Sequence, residues 1–426
     1  MAAGAGRAQP GTSHPGSRPE PKVRMGRTGP AGLVGSAAVE HRYVSKPPSF
    51  TIGVEEEYLI VDAVTGELRP RAASVLPVAR GALGDQVQPE LSTSQIEVET
   101  TVCHTLDEVR DELGRLRAEV ASAAEQAGSC VAASGSHPFA DWREQPITQK
   151  DRYLELDRSF RLLAWELLIC GCHVHVAVED PEDAIGVIDR CRPWLPTLLA
   201  LSANSPFWQG VDSGYCSYRT QVFDRLPVTG APPILGSRSG YDRLVEELVA
   251  TGSMADPTRL YWDVRPSARF PTVEFRVCDV ALTIDEAVMA AGLIRALVRT
   301  CHAHAAAGDP VPPVHPEVLR SARWRASRDG LDGELVDLAA GRARPAAEVV
   351  EGLLSFVRPD LEGAGAGEWD EVSALVAQTL GRGNGARRQR EVLERTGSLV
   401  ELVEWIAGET AVAAPPCRGD EASARP

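Results

Sequence analysis

The chain has 426 residues, 43% hydrophobic and 24% charged, an ordinary globular balance with material for one large α/β unit or two average domains. Its formal charge of −15 argues against a general nucleic-acid binder, because gripping a phosphate backbone needs a basic face. No run of about 18 apolar residues occurs, and the first residues lack the apolar core of a signal peptide, so no membrane partner is expected and the cytoplasm is the natural compartment.

Residues 1–48 are rich in Gly, Pro, Ala, Ser and Arg without hydrophobic periodicity, and they read as a disordered extension, with Met25 as an alternative start. Order is expected over 49–412 and a flexible tail over 413–426. The first strand runs through Ile52-Gly53-Val54, three glutamates and Tyr58-Leu59-Ile60-Val61, and a second through Gln95-Ile96-Glu97-Val98-Glu99. Leu106, Val109, Leu113, Leu116 and Val120 have helical spacing, with Thr105 as N-cap and Glu108 completing a capping box. A short buried strand follows near Val131, then a helix over 153–169, and a strand through Cys170-Gly171-Cys172-His173-Val174-His175-Val176. Helix returns over 181–201, a long loop over 204–219, and a strand at Val273-Glu274-Phe275-Arg276-Val277-Cys278-Asp279. Helices are expected over 285–306, 346–356, 369–379 and 390–407.

Side chains two apart on a strand share a face, so Glu55 and Glu57 point together while Glu56 points away. Converging carboxylates repel unless cations hold them, and hard oxygen donors suit Mg²⁺ or Mn²⁺. Taken alone, the glutamate run reads equally as the solvated face of an edge strand. The repetition at Glu97 and Glu99, and the Glu274–Arg276 pair, favour a site that binds phosphate. His173 and His175 also share a face, which keeps a zinc hydrolase open. The nine cysteines lack paired CxxC spacing and read as reduced, mostly buried thiols. No G-x-x-x-x-G-K-[ST] or G-x-G-x-x-G phosphate loop occurs.

Several ordered segments carry a resemblance: Gly53-Val54-Glu55-Glu56-Glu57-Tyr58, Ser136-His137-Pro138-Phe139, Gly171-Cys172-His173-Val174-His175-Val176, Ser205-Pro206-Phe207-Trp208-Gln209-Gly210, Gly214-Tyr215-Cys216-Ser217-Tyr218-Arg219, Trp262-Asp263-Val264-Arg265-Pro266 and Val273-Glu274-Phe275-Arg276. Over roughly 50–400 the chain resembles the carboxylate–amine ligase family related to glutamate–cysteine ligase, often labelled type 2. The resemblance implies an α+β, glutamine synthetase-like fold: a curved, mainly antiparallel sheet forming a funnel, flanked by helices. It implies a metal cage of Glu55, Glu57, Glu90, Glu97, His173 and Glu274, with Arg219 and Arg276 stabilising charge on the transferred phosphate. The cofactors implied are ATP and Mg²⁺ or Mn²⁺. The implied reaction phosphorylates a carboxylate, and an amine then attacks the acyl phosphate. Its partners are small molecules, glutamate with cysteine or another amine, and homo-oligomers are compatible with it. Glu90 is a conservative acidic change from the family pattern, and the substrate-pocket segments diverge, which leaves the amine open. A nucleotide- or metabolite-binding protein of the same fold without catalysis is the alternative reading.

Overall fold

The computed structural model describes residues 49–365 and 367–411. The segments read as a disordered extension, 1–48, and as a flexible tail, 413–426, lie outside the described residues, as does Cys417. Seven strands make one open sheet: β1 (Ile52–Val61), β2 (Val87–Pro89), β3 (Gln95–Glu99), β4 (Cys130–Ala132), β5 (Gly171–Ala177), β6 (Val264–Pro266) and β7 (Thr272–Asp279). Their order is β6-β7-β5-β1-β3-β2, with β4 beside β1, and every pairing is antiparallel.

Strand periodicity separates the two faces. Ile52, Val54, Glu56 and Tyr58 of β1 are buried on one side, while Gly53, Glu55 and Glu57 look to the other. The apolar side is covered by three helices, α1 (Leu106–Gln126), α2 (Pro181–Cys191) and, after a short α3 (Tyr218–Phe223), the long α4 (Ile284–Ala306). Val54, Val174, Val176, Val273 and Phe275 pack there against Leu113, Ile188 and Leu293. Each such side chain stabilises the fold by about 1.5–3 kcal/mol relative to exposure. An outer helix, α5 (Ala346–Gly363), packs on α4.

All five apolar positions expected in α1 are buried, and the Thr105 side chain accepts from the Glu108 N–H. The return bond of the expected capping box goes elsewhere: Glu108 accepts from the backbone N–H of His104, one residue earlier, at 2.6 Å. The helix expected over 153–169 is instead two, Asp151–Phe160 and Leu162–Trp165, broken where Arg161 takes φ of +54°. The helix expected over 181–201 is interrupted by a tight turn at Arg192–Trp194, centred on Pro193, before helix resumes at Leu195–Ser202. The one expected over 390–407 splits into Gly385–Thr396 and Leu399–Ala411 at Gly397, which caps the first in the left-handed region. Helices Ala72–Leu83, Arg238–Ala250 and Pro316–Asp329 are additional to those expected from the sequence. The eight described cysteines are free thiols, and only Cys130 is not buried. No helix among the described residues is long and apolar enough to cross a membrane.

A further fact about β7 positions the site. Its pairing with β5 shifts register by one residue between Phe275 and Cys278, a β-bulge. Without the bulge Cys278 would share the face of Glu274 and Arg276. With it, Cys278 faces Cys172 in the core, and Asp279 turns onto the polar side opposite Gly171.

Candidate active site

Cross-strand partners lie on one face, so the registers alone assemble the polar cluster. Glu57 is opposite Glu97, Glu55 lies between Glu99 and His173, and Glu274 lies between His175 and Arg265. The cluster lines a cavity of about 230 Å³ that includes Glu55, Glu57, Glu90, Glu97, His173, Glu274 and Arg276. Seven of the eight residues singled out in the sequence therefore meet in one cleft.

Arg219, the eighth, is not in the cavity wall. It sits behind Gly171, where a Cβ would come within 2.4 Å of its guanidinium and 3.1 Å of His173 Nε2. Only glycine fits here, because the strand backbone must pass between the arginine and the histidine. The Gly171 N–H also donates to Glu57 at 2.7 Å. Arg219 lies in the first turn of α3 instead of in the expected loop, with its guanidinium 3.7 Å from Asp279. That carboxylate accepts from the Asn204 N–H at 2.8 Å and from the hydroxyls of Ser205 and Ser217 at 2.7 and 2.8 Å, fastening the intervening loop. Ser205 Oγ in turn accepts from the Arg219 N–H at 3.0 Å.

Electrostatically the cluster has two halves. In one, anions are compensated. His173 Nδ1 is 3.0 Å from one Glu55 oxygen and His175 Nε2 is 3.2 Å from the other. Burial works to raise Glu55, but the two histidines outweigh it and hold the carboxyl well below its usual range. Glu274 takes a bidentate pair from Arg265 at 2.8 and 3.0 Å and a further bond from Arg276 at 2.5 Å. Against the opposing effect of burial, those guanidiniums hold it low as well.

In the other half the charges are not balanced. Burial and the neighbouring Glu90 push Glu57 up to about 8. Burial, then Glu55, Glu90 and Glu57, push Glu97 well above its usual value, and burial raises Glu90 despite the Leu91 N–H and Arg152. His173 faces this half. Burial and Arg276 lower it to about 4, so the imidazole is neutral at pH 7. With Nδ1–H donating to Glu55, Nε2 carries a lone pair, is buried without a hydrogen-bond partner, and stands 3.9 Å from Glu57. Ligand atoms of Glu57, Glu97 and His173 lie within 4.8 Å of one another, as do those of Glu55, His173 and Glu274. A bare lone pair beside destabilised carboxylates, with oxygen as the prevailing donor, fits a hard divalent cation.

Arg265 and Asp279 carry no expected role from the sequence, and His175 enters there only as the partner of His173 in a zinc-binding alternative. Arg265 belongs to the segment Trp262-Asp263-Val264-Arg265-Pro266, but only the β6–β7 register places it on Glu274. The second histidine of the HxH pair bonds Thr272 at Nδ1, 2.9 Å, while its Nε2 is buried 3.2 Å from a Glu55 oxygen without a formed hydrogen bond, and neither group of ligand atoms lying within 4.8 Å of one another includes it.

Among solved structures, this fold is similar to Francisella tularensis glutamate–cysteine ligase in complex with AMP, with TM-score 0.64 at 13% identity over 86% of this chain and 89% of that one. It is also similar to the bifunctional glutathione synthetase of Pasteurella multocida, TM-score 0.64 and 15% identity, over 85% of this chain and 52% of that one. The likeness shows the α+β fold of these ligases, as the sequence resemblance implied. The family described as Glutamate-cysteine ligase family 2 (GCS2) matches residues 51–405. A Frankia alni protein named "Putative glutamate--cysteine ligase 2-2" is 44% identical over 382 residues, 86% of this chain and 98% of that protein. A Mycolicibacterium smegmatis protein named "Putative glutamate--cysteine ligase 2-3" is 42% identical over 361 residues, 84% and 98% of the two. Fold and relatives define an ATP-dependent ligase. The chain belongs to glutamate–cysteine ligase family 2.

Proposed function

We propose that this ligase joins the γ-carboxylate of glutamate to an amine, cysteine being the first acceptor to test, through an acyl phosphate. The observation that carries the reading is the convergence of five glutamates on His173, with Arg276 inside the cleft and Arg219 behind it. A glutamate carboxylate oxygen attacks the γ-phosphorus of ATP, and the β–γ bridging oxygen leaves with the bonding pair as ADP. The amine nitrogen then attacks the acyl carbon, phosphate departs, and the amide nitrogen loses a proton.

Glu55, Glu57, Glu90, Glu97, His173 and Glu274 are the residues suited to hold Mg²⁺ or Mn²⁺. Bound there, the cation would neutralise polyphosphate charge and polarise the γ-phosphoryl group. Arg276 supplies a fixed positive charge at the cleft, and Arg219 supplies a second from beyond Gly171.

An ADP-release assay with ATP, Mg²⁺, glutamate and a panel of amino acids and amines tests the reading. Release that requires glutamate and an amine together is expected. Absence of release across the panel would count against it.

A proton linkage follows. In the metal-free protein Glu57, pushed up to about 8, retains at pH 7 a proton that a cation must displace, and burial shifts Glu90 and Glu97 in the same direction. Mg²⁺ binding is therefore expected to release protons and to tighten as pH climbs from about 6 to 8. Because a raised folded pKa means the folded state binds the extra proton, the metal-free protein loses stability as pH rises from the ordinary 4.5 through about 8. Calorimetry in two buffers of different ionisation heat measures the released protons, and a count of zero would contradict the linkage.

A further inference from the structure

A second cavity lies apart from the glutamate cleft. It measures about 370 Å³, lies between α2, the end of α4, α5 and the hairpin Glu334–Asp337/Arg342–Pro345, and shares no lining residue with the glutamate cleft. Its size and apolar lining are those of a small-molecule site.

Four features bear on what it would hold. Phe356 is stacked between Trp194 at 5.2 Å and His304 at 5.5 Å, forming a rigid aromatic wall. The carboxylates at the rim already have partners: Asp309 bonds His304 at 2.5 Å, while Asp337 and Glu348 pair with Arg344 at 3.2 and 2.6 Å. Arg190 differs. Its terminal nitrogens donate to the backbone carbonyls of Gly186 and Asp309, and its Nε is buried with no partner. A buried N–H left without an acceptor is a debt the fold alone does not settle. Finally, Gly352 stands on the cavity wall midway along α5, where a Cβ would meet nothing within 4 Å. Glycine weakens a helix interior, and here no neighbour demands it. Its effect is to keep the cavity open.

We propose that this cavity is a second binding site, for a planar aromatic or heteroaromatic molecule that carries an acceptor oxygen. The ring lies against the Trp194–Phe356–His304 wall, and the oxygen accepts from Arg190 Nε. The rim carboxylates are held by Arg344 and His304, whereas the Arg190 guanidinium has no carboxylate partner among the described residues, so an acceptor oxygen is the group the wall can take. This inference is independent of the amine and carboxylate assigned to the catalytic cleft.

Coumarin is the probe, with naphthalene as a bicyclic body lacking the acceptor, both titrated by calorimetry into the full chain. Coumarin is expected to bind more tightly by up to about tenfold, the worth of one buried hydrogen bond. Gly352→Leu fills the space and is expected to abolish coumarin binding while leaving ATP-dependent turnover unchanged. Ala339→Phe, on the hairpin side of the same cavity, gives a second filling variant should the first fail to fold. No coumarin binding up to its solubility limit would overturn the proposal. So would equal affinity for naphthalene, or coumarin binding that survives both filled cavities.

Discussion

Replacing Arg117 by methionine is expected to cost about 3–5 kcal/mol of folding stability, the penalty for stranding a buried counter-charge. Arg117, on α1, has no exposed surface, and neither does its partner Glu56 on the hidden side of β1. The guanidinium donates to both Glu56 oxygens, at 3.0 and 2.5 Å, and to the carbonyls of Leu282 and Ala281 at 3.1 and 2.8 Å. Tyr58 adds a hydroxyl bond to Glu56 at 2.6 Å. Methionine fills much of the volume but leaves a carboxylate in an apolar layer with a single donor. The double variant Glu56→Gln/Arg117→Met removes the charge, keeps an acceptor for Tyr58, and should recover part of the loss. Urea denaturation of the three proteins measures this, and a single-variant loss below about 1 kcal/mol would show that the pair is not a keystone of the fold.

For Glu57→Gln the two readouts are expected to move in opposite directions. Turnover should fall by about 100-fold or more, since a carboxylate among the metal-binding candidates becomes a neutral amide. Metal-free stability should rise. Glu57 is pushed up to about 8 by burial and Glu90, so ionising it at neutral pH works against the folded state. Glutamine keeps an oxygen for the Gly171 N–H, now 2.7 Å from the carboxylate, so the strand geometry need not change. ADP release and the denaturation midpoint in metal-free buffer report the two effects. Wild-type turnover in this variant would remove Glu57 from the cation site. A gain of stability accompanied by lost activity is the trade-off expected where function requires strained electrostatics.

Much of this architecture was legible in the sequence because the sheet is built from strict alternation. Glu55 and Glu57 against Glu56, and Glu274 with Arg276, are assigned to faces by parity alone. Other parts could not be read that way. The bulge in β7 reverses parity beyond Arg276, and nothing local in Val277-Cys278-Asp279 announces it. Arg265 depends on a pairing partner nine residues away, and Asp279 on a loop more than 60 residues before it. Helix breaks at Arg161 and Gly397 were hidden because apolar periodicity continues across them, while backbone conformation decides the stop. Helix Pro316–Asp329 has few apolar residues, and its buried positions include Arg323, whose guanidinium donates to both oxygens of Asp263 at 2.5 and 2.8 Å. A hydrophobic stripe is the wrong signal where burial is achieved by paired charge.

The run of three glutamates has one more consequence. β1 lies between β3 and β5 in the sheet, and a slip of a single residue along either neighbour would exchange its faces. Glu56 would enter a cleft already crowded with carboxylates, and Glu55 and Glu57 would be pressed into valines and leucines with one arginine between them. An ordinary hydrophobic strand pays for misregistration on one side, whereas this one is opposed on both. The two glutamates that face the cleft and the one that faces the core thus together penalise a misaligned strand on both of its faces.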